Sequence, residues 1–221
     1  MSEPLDTEAF IEKVAELVRG LLEDSPACHD WDHTLRVWTT ARKLAAAEGA
    51  NAFIVDVAAL MHDIGRPAEL LDQGKTDHAA LGAEMARRLL REWGLHDTAL
   101  IDAIVHCIHA HRYRQRAQGV QPQTLEAKIV FDADKLDGMG AIGIARSFHF
   151  AGRIGARVHN TAEEALSEGS YSRQDSAYRE YLVKLRYLKD KMMTASGREM
   201  ALERHRFMET FFDELNREAF S

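Results

Sequence analysis

A chain of 221 residues with 46% apolar and 29% charged residues has the makeup of a soluble globular protein, and it is long enough to bury a substantial core. Its net charge of −7 argues against a broad nucleic-acid surface, although a local cation cluster or a metal could still attract a phosphate. Cys28 and Cys107 are too few for a disulfide framework, no apolar run reaches membrane-spanning length, and the acidic start MSEPLDTEAF lacks a signal-peptide core, so the cytosol is the expected compartment, with both thiols free.

Strand patterns are almost absent and helical periodicity runs nearly throughout. The spacing predicts helices over about 6–23, 32–48, 51–64, 77–93, 97–112, 123–150, 175–194 and 197–219. Pro4, Pro26, Pro67 and Pro122 all fall between these segments, where proline is tolerated. Asp6, Asp32 and Asp97 are placed to cap helix N-termini, and Gly49, Gly65 and Gly94 to close helix C-termini. The expectation is one helical domain over 1–221, its motifs gathered in about 25–152 and its C-terminal helices over about 175–219.

In the second helix, His33 stands at the N-terminal end of the stripe Val37, Ala41, Leu44, so it is a candidate ligand, whereas His29 precedes the helix and aligns with nothing. The third helix, from Phe53 to Met61, is apolar nearly all round, which marks a buried helix, yet it runs into His62 and Asp63. An imidazole beside a carboxylate is costly to bury unless paired or bound to a metal, so this pair is read as part of a site. His78 opens the next helix on the stripe of Gly82, Met85 and Leu89, where a functional histidine and a capping or packing one fit equally well. His111 continues the stripe of Ile104 and Ile108 and faces inward, as a substrate contact or as a ligand of a second metal. Asp102, His106 and His109 share another face, read as solvated.

In KIVFDADKLDGMGAIGIAR, Asp134 and Asp137 lie on the stripe of Val130, Ala133 and Ala141, whereas Asp132 shares a face with Lys128 and Lys135 that reads as solvated and ion-paired. Asp134 is therefore the candidate ligand and Asp137 its orienting neighbour. Two imidazoles and two carboxylates, His33, His62, Asp63 and Asp134, form a mixed nitrogen and oxygen set suited to Mn, Mg, Ni, Co, Fe or Zn. Arg66 and Lys135 directly follow the acidic motifs and could offer charge to a phosphate, with Arg112 and Arg114 as weaker candidates. Gly138, Gly140 and Gly143 are spaced for close helix approach and lack the strand and lysine of a phosphate loop. The polar stretch 159–176 reads as a surface loop or mobile flap. In the last two helices Leu182, Leu185 and Leu188, then Leu202, Phe207, Phe211, Phe212 and Leu215, are expected to pack inward.

The ordered set His33, HDIGR (62–66), DHAALGAE (77–84), HAHRYR (109–114) and KIVFDADKLDGMGAIGIAR (128–146) resembles the HD superfamily of metal-dependent phosphohydrolases, in particular the bacterial branch that includes nucleotide pyrophosphohydrolases. The resemblance implies an all-α, orthogonal helical bundle and a metal held by His33, His62, Asp63 and Asp134. In two-metal families, histidines at positions like His78 and His111 bind a second ion. The GYP extension of cyclic-dinucleotide phosphodiesterases is not present in this sequence. The expected function is hydrolysis of a nucleotide or other small phosphate ester or anhydride by a metal-activated water. Asp63 would orient that water, and Arg66, His111 and Lys135 would face the developing charge. No membrane or extended nucleic-acid partner is expected, and a homo-oligomer is compatible with the sequence. Two alternatives are a non-catalytic metal- or nucleotide-binding regulatory module and an HD-fold diiron oxygenase.

Overall fold

The computed structural model describes residues 5–23, 25, 29–72, 75–112 and 119–220. Pro4, Pro26, Cys28 and Arg114 lie outside the described residues. Among those described the protein is all-α, with no strand. The chain divides into two compact units, Met1–Asp134 and Lys135–Ser221.

The first unit holds α1 (Thr7–Leu21), α2 (Trp31–Glu48), α3 (Ala52–Met61), α4 (Arg66–Leu71), α5 (His78–Glu92), α6 (Thr98–Ala110) and most of α7 (Leu125–Asp137). Its centre is α3, which packs against α1, α2 and α6. Every residue from Ile54 to Met61 is buried, as a helix without a polar face requires. Its one charged member, Asp56, is reconciled to burial by the Trp38 indole N–H, which donates to it at 2.8 Å, and by Arg42 at 3.5 Å. Leu60 and Met61 are fully buried, and side chains of this size contribute roughly 1.5–3 kcal/mol each. This anchoring holds the end of α3, and the two residues after it, in a fixed place. On α6, Cys107 is fully buried, and burial pushes its thiol up to about 12.

Asp6 and Asp97 cap α1 and α6 through backbone N–H groups of Ala9, and of Ala99 and Leu100. The cap of α2 is Asp30 rather than the expected Asp32: its Oδ1 accepts the backbone N–H of His33 at 3.0 Å. The chain therefore enters α2 one turn ahead of His33 and fixes that residue in the first turn. Gly49 closes α2 with φ +71°, in the left-handed region that favours glycine. Gly65 is a different case. Its φ of −86° is ordinary, and it precedes α4, which the sequence reading lacked, with Pro67 in the first turn. Its smallness serves contact: a Cβ there would lie 2.3 Å from the carbonyl oxygen of His78 and 2.8 Å from the amide nitrogen of Gly82. Only a bare α-carbon lets the first turn of α5 come this close to the HD turn.

The second unit holds α8 (Gly140–Arg153), α9 (Ala162–Ser167), α10 (Ala177–Val183), a 3₁₀ turn (Leu185–Lys191) and α11 (Ala195–Phe220). In it α11 packs on α8 and the 3₁₀ turn, while α10 packs on α8, α9 and the 3₁₀ turn. The single helix expected over 123–150 breaks at Gly138–Met139. Gly140 turns the chain with φ +67°, and a Cβ at Gly143 would meet the Gly138 carbonyl oxygen at 2.2 Å, so the glycines do serve close approach. The helix expected over 175–194 is likewise two pieces. The stretch 159–176 contains α9, with Thr161 and Glu164 forming a reciprocal capping box, and a buried Asn160 bonded to Gln174 and Ser176. It is therefore built rather than loop-like. On α11 the inward stripe is Ala201, His205, Met208 and Phe212. Leu202 and Phe207, expected to pack, are about half exposed at 47% and 51%, because they fall off that stripe.

Candidate metal centre

Asp63 is the hub of the first unit's polar interior. It directly follows His62, the C-cap of α3, and its side chain is 1% exposed. Its Oδ2 faces one set of imidazoles: His29 Nδ1 at 2.9 Å, and His33 Nε2 and His62 Nε2 at 3.7 Å each. Its Oδ1 faces another: His78 Nε2 and His111 Nε2, both at 3.6 Å. Asp134 closes the first set from α7, its Oδ1 lying 3.6 Å from His33 Nε2. The segments that the sequence reading assigned to one site thus converge: His33 from α2, His62 and Asp63 from the end of α3, and Asp134 from α7.

Hydrogen bonds decide which ring nitrogens are available. His62 Nδ1 lies 2.8 Å from the Ala59 carbonyl and His111 Nδ1 lies 2.6 Å from the Ile108 carbonyl. A carbonyl only accepts, so we assign the proton to Nδ1 in both rings, which leaves each Nε2 with a bare lone pair. His78 Nδ1 is 2.9 Å from Glu69 Oε2, close enough to be held electrostatically but not aligned as a hydrogen bond. It too presents Nε2 inward. The nitrogens meet in pairs, His33 Nε2 to His62 Nε2 at 3.2 Å and His78 Nε2 to His111 Nε2 at 3.2 Å.

A lone pair facing a ring nitrogen at this distance is met either by an N–H of that ring or by a cation between the two. A proton is a poor one here. Burial lowers His62 to about 4, against the opposing pull of Asp63 and Asp134, and burial with the neighbouring His111 lowers His78 to about 2. A divalent ion suits the donor set better: neutral imidazole nitrogens and carboxylate oxygens, all within 4.8 Å of one another in the groups His33–His62–Asp134 and Asp63–His78–His111. The residues present fit a metal. Asp63 itself is held as the carboxylate. Burial pushes its carboxyl up, but the Arg66 guanidinium beside it, with a hydrogen bond from His29, holds it well below the usual carboxylate range.

Arg66 does not stand free beside the site. Its Nη2 and Nε lie 3.1 and 3.3 Å from Asp63 Oδ1, and its Nη1 lies 2.5 Å from Glu69 Oε2. Glu69, 9% exposed, also accepts Arg112 Nη2 at 3.1 Å, while Arg112 Nη1 reaches Asp77 at 2.7 Å. Glu69 thus ties α4, the start of α5 and the end of α6 together behind the histidines.

Sequence reasoning missed His29 and Glu69. His29 sits outside the helical register that sorted the other histidines, yet it makes the shortest contact to Asp63 in the cluster. A signal for Glu69 was present: it follows Arg66 by three residues, the spacing of an ion pair on one helix face. Asp132 corrects another reading. It is fully buried, not on a solvated face. Asp137 pairs with Arg146 at 2.5 Å within the second unit. Lys135, next in sequence to Asp134, opens that unit. The face read as solvated on α6 carries Asp102 paired with Arg87, and His106 accepting the Gln123 backbone N–H at 3.1 Å. Among the described residues no helix is long and apolar enough to cross a membrane.

The chain is similar to several known proteins. The HD domain family model matches residues 30–139. The chain is 36% identical to the uncharacterized protein YpgQ of Bacillus subtilis over 208 residues, 94% of this chain and 92% of that one. The crystal structure of Bacillus subtilis YpgQ in complex with ADP matches with a TM-score of 0.72 and 31% identity, covering 97% of both chains. That of an HD-superfamily hydrolase from Bacillus thuringiensis matches with a TM-score of 0.73 and 30% identity, over 97% of this chain and 100% of that one. A symmetrical bis(5'-nucleosyl)-tetraphosphatase of Bacillus subtilis is 29% identical over 126 residues, and there the match spans 61% of the relative's length. A likeness that runs through almost the whole sequence and through the fold built from it makes this chain a member of the HD-domain family.

Proposed function

We propose that this protein is a metal-dependent phosphohydrolase acting on a nucleotide or a similar small phosphate ester or anhydride. The observation that carries the reading is Asp63, a buried carboxylate kept ionised with bare imidazole nitrogens converging on both of its oxygens. His33, His62, Asp63 and Asp134 would hold the metal, and His78 with His111 would serve a second ion through the other oxygen of Asp63. When bound, such a metal lowers the pKa of water and polarises a phosphoryl oxygen.

The chain's own residues supply the remainder. Asp63 keeps its charge and orients the attacking water. The Ala59 and Ile108 carbonyls lock the ring tautomers of His62 and His111, so no reorganisation is needed when substrate arrives. Arg66 is the nearest guanidinium to the cluster and, together with Lys135, is assigned to the negative charge that phosphoryl transfer spreads over oxygen. The relatives support a nucleotide as substrate, since one was crystallised with ADP and another is named for cleaving bis-nucleosyl tetraphosphates.

The test is turnover of nucleoside mono-, di- and triphosphates and dinucleoside polyphosphates with Mn, Co, Ni or Mg, with products identified so that phosphate and pyrophosphate release are told apart. Hydrolysis that disappears in His62→Ala and Asp134→Ala supports the reading. No turnover of any member, despite stoichiometric metal, would leave the regulatory module standing. An iron-dependent optical or EPR signal with oxygen uptake would favour the oxygenase.

A further inference from the structure

We infer that Arg66 is a built-in competitor for the second cation site, so that its guanidinium, and not the histidines alone, sets how many metal ions this protein holds. The inference rests on the proposed metal reading and concerns the half of the cluster built on Asp63 Oδ1. Three groups converge on that single oxygen: His78 Nε2 and His111 Nε2 at 3.6 Å, and Arg66 at 3.1 and 3.3 Å through two nitrogens. The opposite oxygen, Oδ2, faces only imidazoles and has no guanidinium on it among the described contacts. The two halves are therefore unequal. Both offer a pair of imidazole nitrogens 3.2 Å apart, but one shares its carboxylate oxygen with a permanent positive charge.

An ion bound by His78, His111 and Oδ1 would sit against that guanidinium. An arginine cannot relieve the repulsion by losing a proton. It can relieve it only by giving up Oδ1. Glu69 provides the place to go, since Oε2 already holds Arg66 Nη1 at 2.5 Å. The same oxygen lies 2.9 Å from His78 Nδ1, so Glu69 is linked both to the competing cation and to one of the ligands it competes with. The side chain is 17% exposed, which leaves it room to swing outward where Asp63, at 1%, has none. On Oδ2, which faces only imidazoles, no guanidinium has to move. The first ion is expected to bind tightly at His33, His62, Asp63 and Asp134, and the second much more weakly.

The experiment is metal titration of apo protein with Mn, followed by equilibrium dialysis with elemental analysis and by EPR. Wild type should bind one ion tightly and give the six-line spectrum of an isolated ion. Arg66→Gln should bind the second at least tenfold more tightly, and the spectrum should broaden as two ions couple across Asp63. Arg66→Lys, which keeps a positive charge, should stay near wild type. Adding His111→Ala to Arg66→Gln should abolish the gained ion. Equal affinity for two ions in wild type, or no gain in a folded Arg66→Gln protein, overturns the inference. If Arg66→Gln fails to fold, Glu69→Gln gives the second reading: with its anchor weakened, Arg66 stays on Oδ1 and the second ion should bind less tightly, whereas unchanged or tighter binding overturns the inference. Loss of the first ion in Asp134→Ala is the separate control. If that variant keeps full metal, the metal reading itself fails.

Discussion

Gly65 offers the sharpest test of how the fold builds the site. With φ −86° its backbone suits alanine, so Gly65→Ala should be favourable on conformational grounds, by about 0.4–1 kcal/mol through the unfolded chain. Sterics oppose this. The new Cβ would lie 2.3 Å from the His78 carbonyl oxygen, 2.8 Å from the Gly82 nitrogen and 3.2 Å from the Gly82 α-carbon. These are backbone atoms, so no side chain can rotate away. Restoring ordinary van der Waals separation needs α5 to move by about 1 Å or more. Overpacking of this kind typically costs about 1–3 kcal/mol, which exceeds the conformational gain. For a chain of this size the net loss corresponds to a Tm lower by several degrees, at roughly 2–4 °C per kcal/mol. The shift begins at His78, so its nitrogen leaves its place beside His111. A displacement of about 1 Å can cost on the order of a hundredfold in rate. Urea denaturation and kcat/KM should fall together. A Gly65→Ala protein as stable and as active as wild type would show that the close contact between the HD turn and α5 is not what glycine is there to permit.

Asp63→Ala should lose both bound metal and activity, since it removes the carboxylate shared by both imidazole sets; elemental analysis that still finds full metal would refute its role as a ligand. Lys135→Ala should lower kcat/KM by roughly tenfold to a hundredfold, the loss of one charge-assisted contact of about 1.5–3 kcal/mol, without changing metal content. Unaltered kinetics would remove Lys135 from the site. Metal-free protein should lose stability as pH falls from 7 to 5. His62 takes up protons near 6.5 when unfolded but only near 4 when folded, so the unfolded state binds more protons across that window. The loss is about 2 kcal/mol at pH 5 from this residue alone, read as a lower urea midpoint, and a midpoint that does not move would contradict a buried neutral imidazole.

The site was legible wherever a residue shares a helical stripe with apolar neighbours. His33, Asp134 and His111 could be read inward because Val37, Val130 and Ile108 lie one turn away, and His62–Asp63 because α3 leaves no face for solvent. Periodicity is blind outside helices. His29 lies one residue before the Asp30 cap, so only the tertiary path of the chain brings its ring to Asp63. It also misjudges polar residues on faces that look charged. Asp132 shares its side with Lys128 and Lys135 on paper, yet it is buried, because burial depends on what packs over a face and not on the face's own composition. The break between α7 and α8 was hidden for a related reason. The residues around Gly138 are individually compatible with helix, and only the positive φ at Gly140 reveals the turn.

Cys107 gives the first unit a built-in chemical clock. A thiol with no exposed surface, and with its ionisation pushed up to about 12, is nearly inert to alkylating reagents while α6 stays shut. In a Cys28→Ser chain, labelling of the remaining thiol would therefore report each opening of the helix that ends one residue before His111. Comparing that rate with and without metal would show whether the ion merely sits in a finished cavity or holds the cavity's wall in place.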